Sequence, residues 1–321
     1  MKRPYSEKYS ILSIISKCIA RIFHLEGFIN AAAEKILIKK SKDFNIVFID
    51  RSIYGTIAPK IKYVNPKVKI ISFFHNVELD LAKSCGSGKR GLLKTIHNEK
   101  MVCEYSDITI AFNDRDAQRI EQLYGRKTDA VIPVSFADRQ IVFSKGPISE
   151  VPTALFFGSK FQPNVHGINW FIKNVLPFVN IKLQVIMKDL ENEKLPQSGK
   201  LELMGFVEDL EPYIQNADFT LFPIFTGSGM KVKVCEALMY GKNIIATGEA
   251  FMGYDVDFEK VGACCETADE FIKAINEFSQ RFNNKFNEYS RNIFLQKYSN
   301  DITFSQFAKV FKINSKAGVC P

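Results

Sequence analysis

Short, mostly apolar runs alternate with longer amphipathic stretches along most of the chain. FNIVFID (44–50) and KVKIISFFH (67–75) are rich in β-branched and aromatic residues and lack polar alternation, the pattern of strands buried on both faces. A helical stretch separates them. KTIHNEKMVCEYS (94–106) then reads as a helix, DITIAFN (107–113) as a strand, DRDAQRIEQLYG (114–125) as a helix closed by Gly125, and DAVIPVS (129–135) as a strand. Strands that alternate with helices predict a parallel sheet with helices on both faces. Residues 136–152, FADRQIVFSKGPISEVP, break this rhythm with Gly146, Pro147 and Pro152, so two domains are expected, 1–145 and 146–321. The alternation restarts with TALFFGS (strand), NVHGINWFIKNVLPFV (helix), KLQVIMK and KLELMGFV (strands), LEPYIQNA (helix), DFTLFPI (strand), KVKVCEALMYG (helix) and NIIATG (strand). Helices over ADEFIKAINEFSQRF and NEYSRNIFLQKYS close the chain, and NSKAGVCP is expected to be a frayed tail.

The amino-terminal stretch ILSIISKCIARIFHLEGF has apolar residues at 11, 12, 14, 15, 18, 19, 22 and 23, with Ser13, Ser16, Lys17 and Arg21 to one side. That period fits a helix packed on a sheet, and it also fits a basic amphipathic helix on an anionic membrane surface. Lys17 and Arg21 interrupt it, so neither a signal peptide nor a membrane span is expected there. The seven cysteines are scattered without CxxC spacing, the usage of free thiols in a reducing compartment, and a cytoplasmic location follows. Lys plus Arg exceed Asp plus Glu by 43 to 35, which favours anionic partners. The lysines are dispersed and form no basic run, which argues against nucleic acid.

In an open α/β sheet, ligands bind beyond the carboxyl ends of the strands. Three strand-to-helix loops of the second half stand out there: FFGSKFQPN (156–164), MGFVEDL (204–210) and PIFTGSGMK (223–231). In the third, Gly227 and Gly229 flank Ser228, so the backbone can approach a ligand and turn its N–H groups toward it. Lys231 and Lys233 follow at a helix start, where cations oppose the helix dipole unless an anion offsets them. This is a physical argument for a phosphate. Glu236 lies within a turn of Lys233, beside Cys235, Ala237 and Leu238, and a carboxylate there can accept two hydrogen bonds from a vicinal diol such as ribose.

From Gly227 to Thr247 the chain resembles the donor-nucleotide motif of family 4 (group 1) glycosyltransferases: a Glu, seven residues, a second Glu and an Ala, then a Gly and a strand. Here ALMYGKNIIAT follows Glu236 in the matching places. The resemblance extends to FFGSKFQPNVHGINWFIKNVLPFV, LMGFVEDLEPYIQNADFTLFPI and ISFFHNVE. It implies an α/β fold of the GT-B type, two Rossmann-like doubly wound domains facing a cleft. Residues 1–145 would be the acceptor side, and 146–321 the nucleotide-sugar-binding domain with closing carboxyl-terminal helices. Role by role, Glu236 would bind the ribose hydroxyls, and the backbone of Gly227, Ser228, Gly229 and Met230 with Lys231 and Lys233 would hold the diphosphate and sugar. Gly205, Phe206 and Val207 would contact the base, Gly158, Ser159 and Lys160 would line the cleft, and His75 would stand at the reacting sugar. As a residue ending a strand, His75 also fits a structural role. Such enzymes are retaining, and no metal or other cofactor is implied.

The pattern also departs from the family. The first Glu of the pair falls at Ser228, so its contact to the donor sugar must come from the Gly-Ser-Gly backbone or be lost. The Arg and Lys usual after the first strand of the donor domain fall near Ser159 and His166, leaving Lys160 and Lys231 as substitutes. The chain opens on a helical segment where relatives have a strand and a Gly-rich loop, so the first domain is expected to be shortened. CGSGKRG (85–91) imitates a phosphate loop but has Arg90 where Ser or Thr should bind magnesium, and reads as a mobile loop over the cleft. His97 and Glu99 stand too close to be two ligands on one helical face. The leading expectation is a nucleotide-sugar-dependent glycosyltransferase acting on a glycan, lipid-linked or protein-linked acceptor in surface polysaccharide or glycoconjugate synthesis. A non-catalytic GT-B subunit that stabilises a partner transferase is the alternative, and a sugar-nucleotide epimerase would need carboxylates that the pattern does not place.

Overall fold

All strand pairings within the two sheets of the computed structural model, which describes residues 27–139, 143, 145–188 and 198–311, are parallel. The apolar stripe at 11–23 and the tail NSKAGVCP lie outside the described residues. The chain divides into two units, residues 1–111 with 115–131, and residues 112–114 with 132–321. The stretch 136–152, which carries the expected boundary, falls inside the second unit.

In the first unit β1 (Ile46–Asp50), β2 (Lys69–Phe74), β3 (Ile108–Ala111) and β4 (Ala130–Val131) pair in chain order. Ile70, Ile71 and Phe74 of β2 are fully buried, as a central parallel strand requires. Helices Ile57–Val64, Lys89–Tyr105 and Asp114–Tyr124 complete the βα alternation. CGSGKRG is no loop over its whole length: Gly88 is the N-cap of Lys89–Tyr105, and Lys89, Arg90 and Gly91 form that helix's first turn. Loop-like composition misleads here because a helix start tolerates glycine where an interior would not.

The second unit holds β5 (Thr153–Phe157), β6 (Lys182–Ile186), β7 (Leu201–Gly205), β8 (Phe219–Phe222), β9 (Asn243–Ala246) and β10 (Gly262–Cys264). Their order, β7-β6-β5-β8-β9-β10, is that of a doubly wound Rossmann-like sheet. Winding reverses between β5 and β8, and both are buried along nearly their whole length. Each fully buried Phe or Leu in such a layer contributes about 1.5–3 kcal/mol. Gly167 sets the spacing between the helix Gln162–Asn174 and the loop after β8: a Cβ there would stand 1.9 Å from the Pro223 carbonyl oxygen. Helices Ala268–Asn276, Phe278–Arg281 and Glu288–Ile293 realise the expected closing segments, and Asn300–Phe311 adds one that the apolar pattern did not show. Among the described residues no helix is long and apolar enough to cross a membrane.

Candidate functional site

The reversal of winding places two of the singled-out loops side by side. In a sheet of this order, helices depart to opposite faces after the two central strands, and a crevice opens at their carboxyl ends. β5 ends there in Gly158, Ser159 and Lys160, and β8 in Pro223 to Met230. Lys233, on the first turn of the helix Val232–Met239, reaches across to the first loop. Its Nζ donates to Asn164 Oδ1 at 2.7 Å and lies 4.7 Å from the centre of the Phe156 ring and 5.6 Å from that of Phe222. Asn164 in turn donates through Nδ2 to the Ser159 carbonyl at 2.8 Å. Gly158 leaves room for this approach: a Cβ there would sit 2.8 Å from Lys233 Nζ and 3.1 Å from Asn164 Nδ2, so a side chain would displace both groups. The Lys233 stem is half-buried, while its ammonium is enclosed by these groups. Burial, and then the charge of Lys231, push the Lys233 ammonium down to about 7.

The turn after β8 depends on two glycines outside the conformations open to other residues, Gly227 at φ 151° and Gly229 at φ 66°. Met230, just beyond, is buried. Lys231 is the N-cap residue of Val232–Met239, and its Nζ donates to the Gly229 carbonyl at 3.0 Å and to Glu249 Oε1 at 2.7 Å. The helix lacks a side-chain cap of its own. Tyr254 takes that place: its hydroxyl accepts from the Cys235 amide at 3.1 Å and donates to the Lys231 carbonyl at 2.9 Å. A helix start leaves N–H groups without intrahelical partners, and here two lysines accompany them, so the turn concentrates positive potential.

Glu236 lies one turn further along the same helix, between buried Cys235 and Ala237. Burial holds its carboxyl above the usual range, and the Arg139 guanidinium opposes that shift. No hydrogen bond to the Glu236 carboxylate is formed among the described residues, which leaves its oxygens able to accept from a ligand. Arg139 itself is held by Tyr240, whose hydroxyl accepts from Nη1 at 3.2 Å and donates to Glu211 Oε2 at 3.2 Å.

Gly158, Ser159, Lys160, Gly227, Ser228, Gly229, Met230, Lys231, Lys233 and Glu236 therefore belong to one end of β5, β8 and the helix that follows. Gly205, Phe206 and Val207 do not share those contacts. They end β7, three strand spacings or about 14 Å from β8, with Phe206 69% exposed. His75 is in the first unit just after β2, where its Nε2 is 2.6 Å from Asp50 Oδ1. Beside it, Arg51 adopts a φ of 93° unusual for a residue with a side chain and donates to Glu78 Oε1 at 3.0 Å.

Asn164, Glu249 and Tyr254 are not read as site residues from the sequence, and Glu99 is weighed there only as a metal ligand. The Glu99 carboxylate is buried and accepts from the Ser52 hydroxyl, the Glu78 and Leu79 amides and the Tyr124 hydroxyl at 2.7–3.2 Å. It ties together the loops after β1 and β2, the two that carry Arg51 and His75. Burial, offset in part by these hydrogen bonds, raises its pKa to about 7. Asn164 closes the singled-out loop FFGSKFQPN and Glu249 directly follows the expected strand NIIATG, which are the only signals the sequence offers for them.

Residues 151–281 match the family described as "Glycosyl transferases group 1". No curated protein sequence matches the chain. Among solved structures, TarM is 13% identical with a TM-score of 0.60, over 87% of this chain and 57% of TarM. Anabaena HepE in complex with UDP-glucose is 12% identical with a TM-score of 0.65, over 87% of this chain and 81% of HepE. The pneumococcal O-GlcNAc transferase GtfA in complex with UDP and GlcNAc is 12% identical with a TM-score of 0.58, over 88% of this chain and 60% of GtfA. The chain thus spans less than two thirds of the length of TarM and of GtfA. The chain therefore has the GT-B type of fold seen in these structures, and residues 151–281 resemble the group 1 glycosyl transferases.

Proposed function

We propose that the protein transfers a sugar from a nucleotide-sugar donor to a glycan, lipid-linked or protein-linked acceptor. The observation that carries this reading is the Gly227–Gly229 turn at the reversal of winding, with Lys231 and Lys233 gathered on it. A nucleoside diphosphate would add an anion to these lysines, of which Lys231 pairs with Glu249 and Lys233 donates to Asn164. Glu236, one helical turn away, would accept from the ribose hydroxyls, and Gly205, Phe206 and Val207 would meet the base. As the bond from the anomeric carbon to the diphosphate breaks, negative charge grows on the leaving oxygen, and ammonium and amide groups fixed around it stabilise that charge. A protonated Lys233 is essential to this role, and the approaching diphosphate favours its protonated form.

His75 would act at the reacting sugar from the first unit, with Asp50 fixing its ring. Retention of anomeric configuration, independence from a bound metal, and a place in surface polysaccharide or glycoconjugate synthesis extend the same reading. So does an anionic membrane surface as partner of residues 11–23 at the cytoplasmic face. UDP and UDP-glucose occur in the HepE structures and make uridine nucleotides the first to try. Binding and slow hydrolysis across a panel of sugar nucleotides test the proposal. Turnover that vanishes in Glu236→Ala is expected, and failure of every nucleotide to bind would overturn it.

A further inference from the structure

Three neighbouring elements of the first unit leave a space between them. β1 is the edge strand of its sheet, pairing with β2 alone among the described strands, and the helix Ala31–Lys40 buries none of its own residues. Between β1 and the helices Ala31–Lys40 and Ile57–Val64 lies a cavity of about 300 Å³, walled by apolar side chains such as Ile29, Leu37, Val47, Ile49 and Ile57. An apolar cavity of about 150 Å³ admits one benzene ring, so this one has room for about twelve carbons. Its two ends differ. At the carboxyl end of β1 the wall is Asp50, the one carboxylate among the described lining residues; its side chain is 63% exposed, and its one hydrogen-bond partner among the described residues is His75, at 2.6 Å. At the other end Leu37, Lys40 and Phe44 line the cavity and are exposed, with Lys39 and Lys42 exposed next to them in the chain.

A space with apolar walls and a carboxylate at one end suits an amphiphile. Hydrocarbon gains from leaving water along such walls, whereas the hydroxyls of a bare glycan would meet few partners there and lose their hydration. At Asp50 the preference reverses, because a carboxylate offers about four acceptor sites and one ring nitrogen of His75 takes up one of them. The open end complements a lipid surface, since apolar side chains beside ammonium groups match acyl chains under anionic headgroups. We propose that the acceptor is lipid-linked, an alcohol or sugar whose hydrocarbon chain lies in this cavity and whose hydroxyl donates to Asp50. This rests on the nucleotide-sugar reading above and narrows its three acceptor classes to one.

The test is calorimetric titration of the full chain with butyl to dodecyl β-glucosides, each kept below its micelle-forming concentration. Affinity should rise about fourfold per added methylene and level off near about twelve carbons. With a sugar nucleotide present, kcat/KM for the same series should rise by the same factor. Val47→Phe, which narrows the cavity, should make affinity level off several carbons earlier, and Leu37→Asp, which sets a charge at the exposed end, should weaken the dodecyl compound about tenfold and leave the butyl one unchanged. Asp50→Ala should weaken every length alike, about tenfold. Affinity that ignores chain length, as it would if residues 11–23 or a partner protein covered the cavity, would overturn the inference. So would a rise that is the same in both cavity variants, or chain-dependent binding that leaves transfer unaffected. The titrations need no donor: if the glucosides behave as expected and no nucleotide binds, the nucleotide-sugar reading fails and the acceptor role falls with it. Thermal unfolding checks that each variant is folded, and should Val47→Phe not fold, Leu37→Asp on the exposed helix decides.

Discussion

Replacing Lys233 with methionine should have small effects on stability and large effects on ligand binding. Folding encloses this ammonium and lowers it from 10.5 to about 7, which at neutral pH corresponds to at most about 5 kcal/mol against an unperturbed lysine. The hydrogen bond to Asn164 and the two aromatic rings around the ammonium favour its charged form and offset most of that figure, leaving about 1–2 kcal/mol. Methionine keeps the apolar stem against Phe156 and Phe222, but Asn164 Oδ1 loses its donor, at a cost of about 1 kcal/mol. The two changes nearly cancel, and urea denaturation at pH 7 should find the variant within about 1 kcal/mol of the wild type.

Binding of a nucleoside diphosphate should respond very differently. A charge-assisted hydrogen bond to phosphate contributes about 1.5–3 kcal/mol, so titration calorimetry should show affinity reduced about 10- to 150-fold. The pH dependence provides a second measurement. Since the folded pKa lies below the unfolded one, the unfolded chain holds more protons between pH 7 and 10.5, and this group makes stability rise with pH over that window and leaves it flat below. That rise should be missing in Lys233→Met. Wild-type diphosphate affinity should fall as pH rises above about 7 and be far less pH-dependent in the variant. Undiminished, equally pH-dependent binding in Lys233→Met would refute the placement of Lys233 at the anion site, and a stability loss above about 3 kcal/mol would make it a structural residue instead.

Gly167→Ala should destabilise the second unit by about 1–3 kcal/mol, since its Cβ would force the helix Gln162–Asn174 away from Pro223, and diphosphate affinity should weaken with it; equilibrium unfolding and calorimetry together would detect either outcome. Glu99, raised from 4.5 to about 7, makes the folded state hold more protons than the unfolded across that interval, so stability falls by at most about 3 kcal/mol from pH 4.5 to 7. In Glu99→Gln that slope should be absent when urea midpoints are compared at pH 5 and 7.5, and a slope equal to the wild type's would refute the assignment.

Much of the fold is visible in one dimension because parallel strands covered on both faces must be largely apolar, as β2, β8 and β9 are. Periodicity fails where elements are short. β10 has three residues, too few for any pattern, and what makes it a strand is pairing with β9; the strand expected over 129–135 forms only at Ala130–Val131, where it pairs with β3. Helix Lys89–Tyr105 was foreseen only from Lys94 onward because the preceding glycines suggest a loop. Within the candidate site, the glycines, both lysines and Glu236 share one short segment and a spacing that local chemistry can interpret.

Asn164 and Glu249 were not accessible in that way, since 69 residues separate Asn164 from Lys233 and 18 separate Glu249 from Lys231. No spacing rule joins such pairs. Local composition determined by itself that a flexible turn and two cations would open a helix after a buried strand, because backbone freedom and charge are properties of single residues. Strand order decided the rest: setting β8 between β5 and β9 brings Asn164 to one lysine and Glu249 to the other, and enclosure then gives those contacts the low dielectric that lowers the Lys233 pKa and orients the Lys231–Glu249 pair.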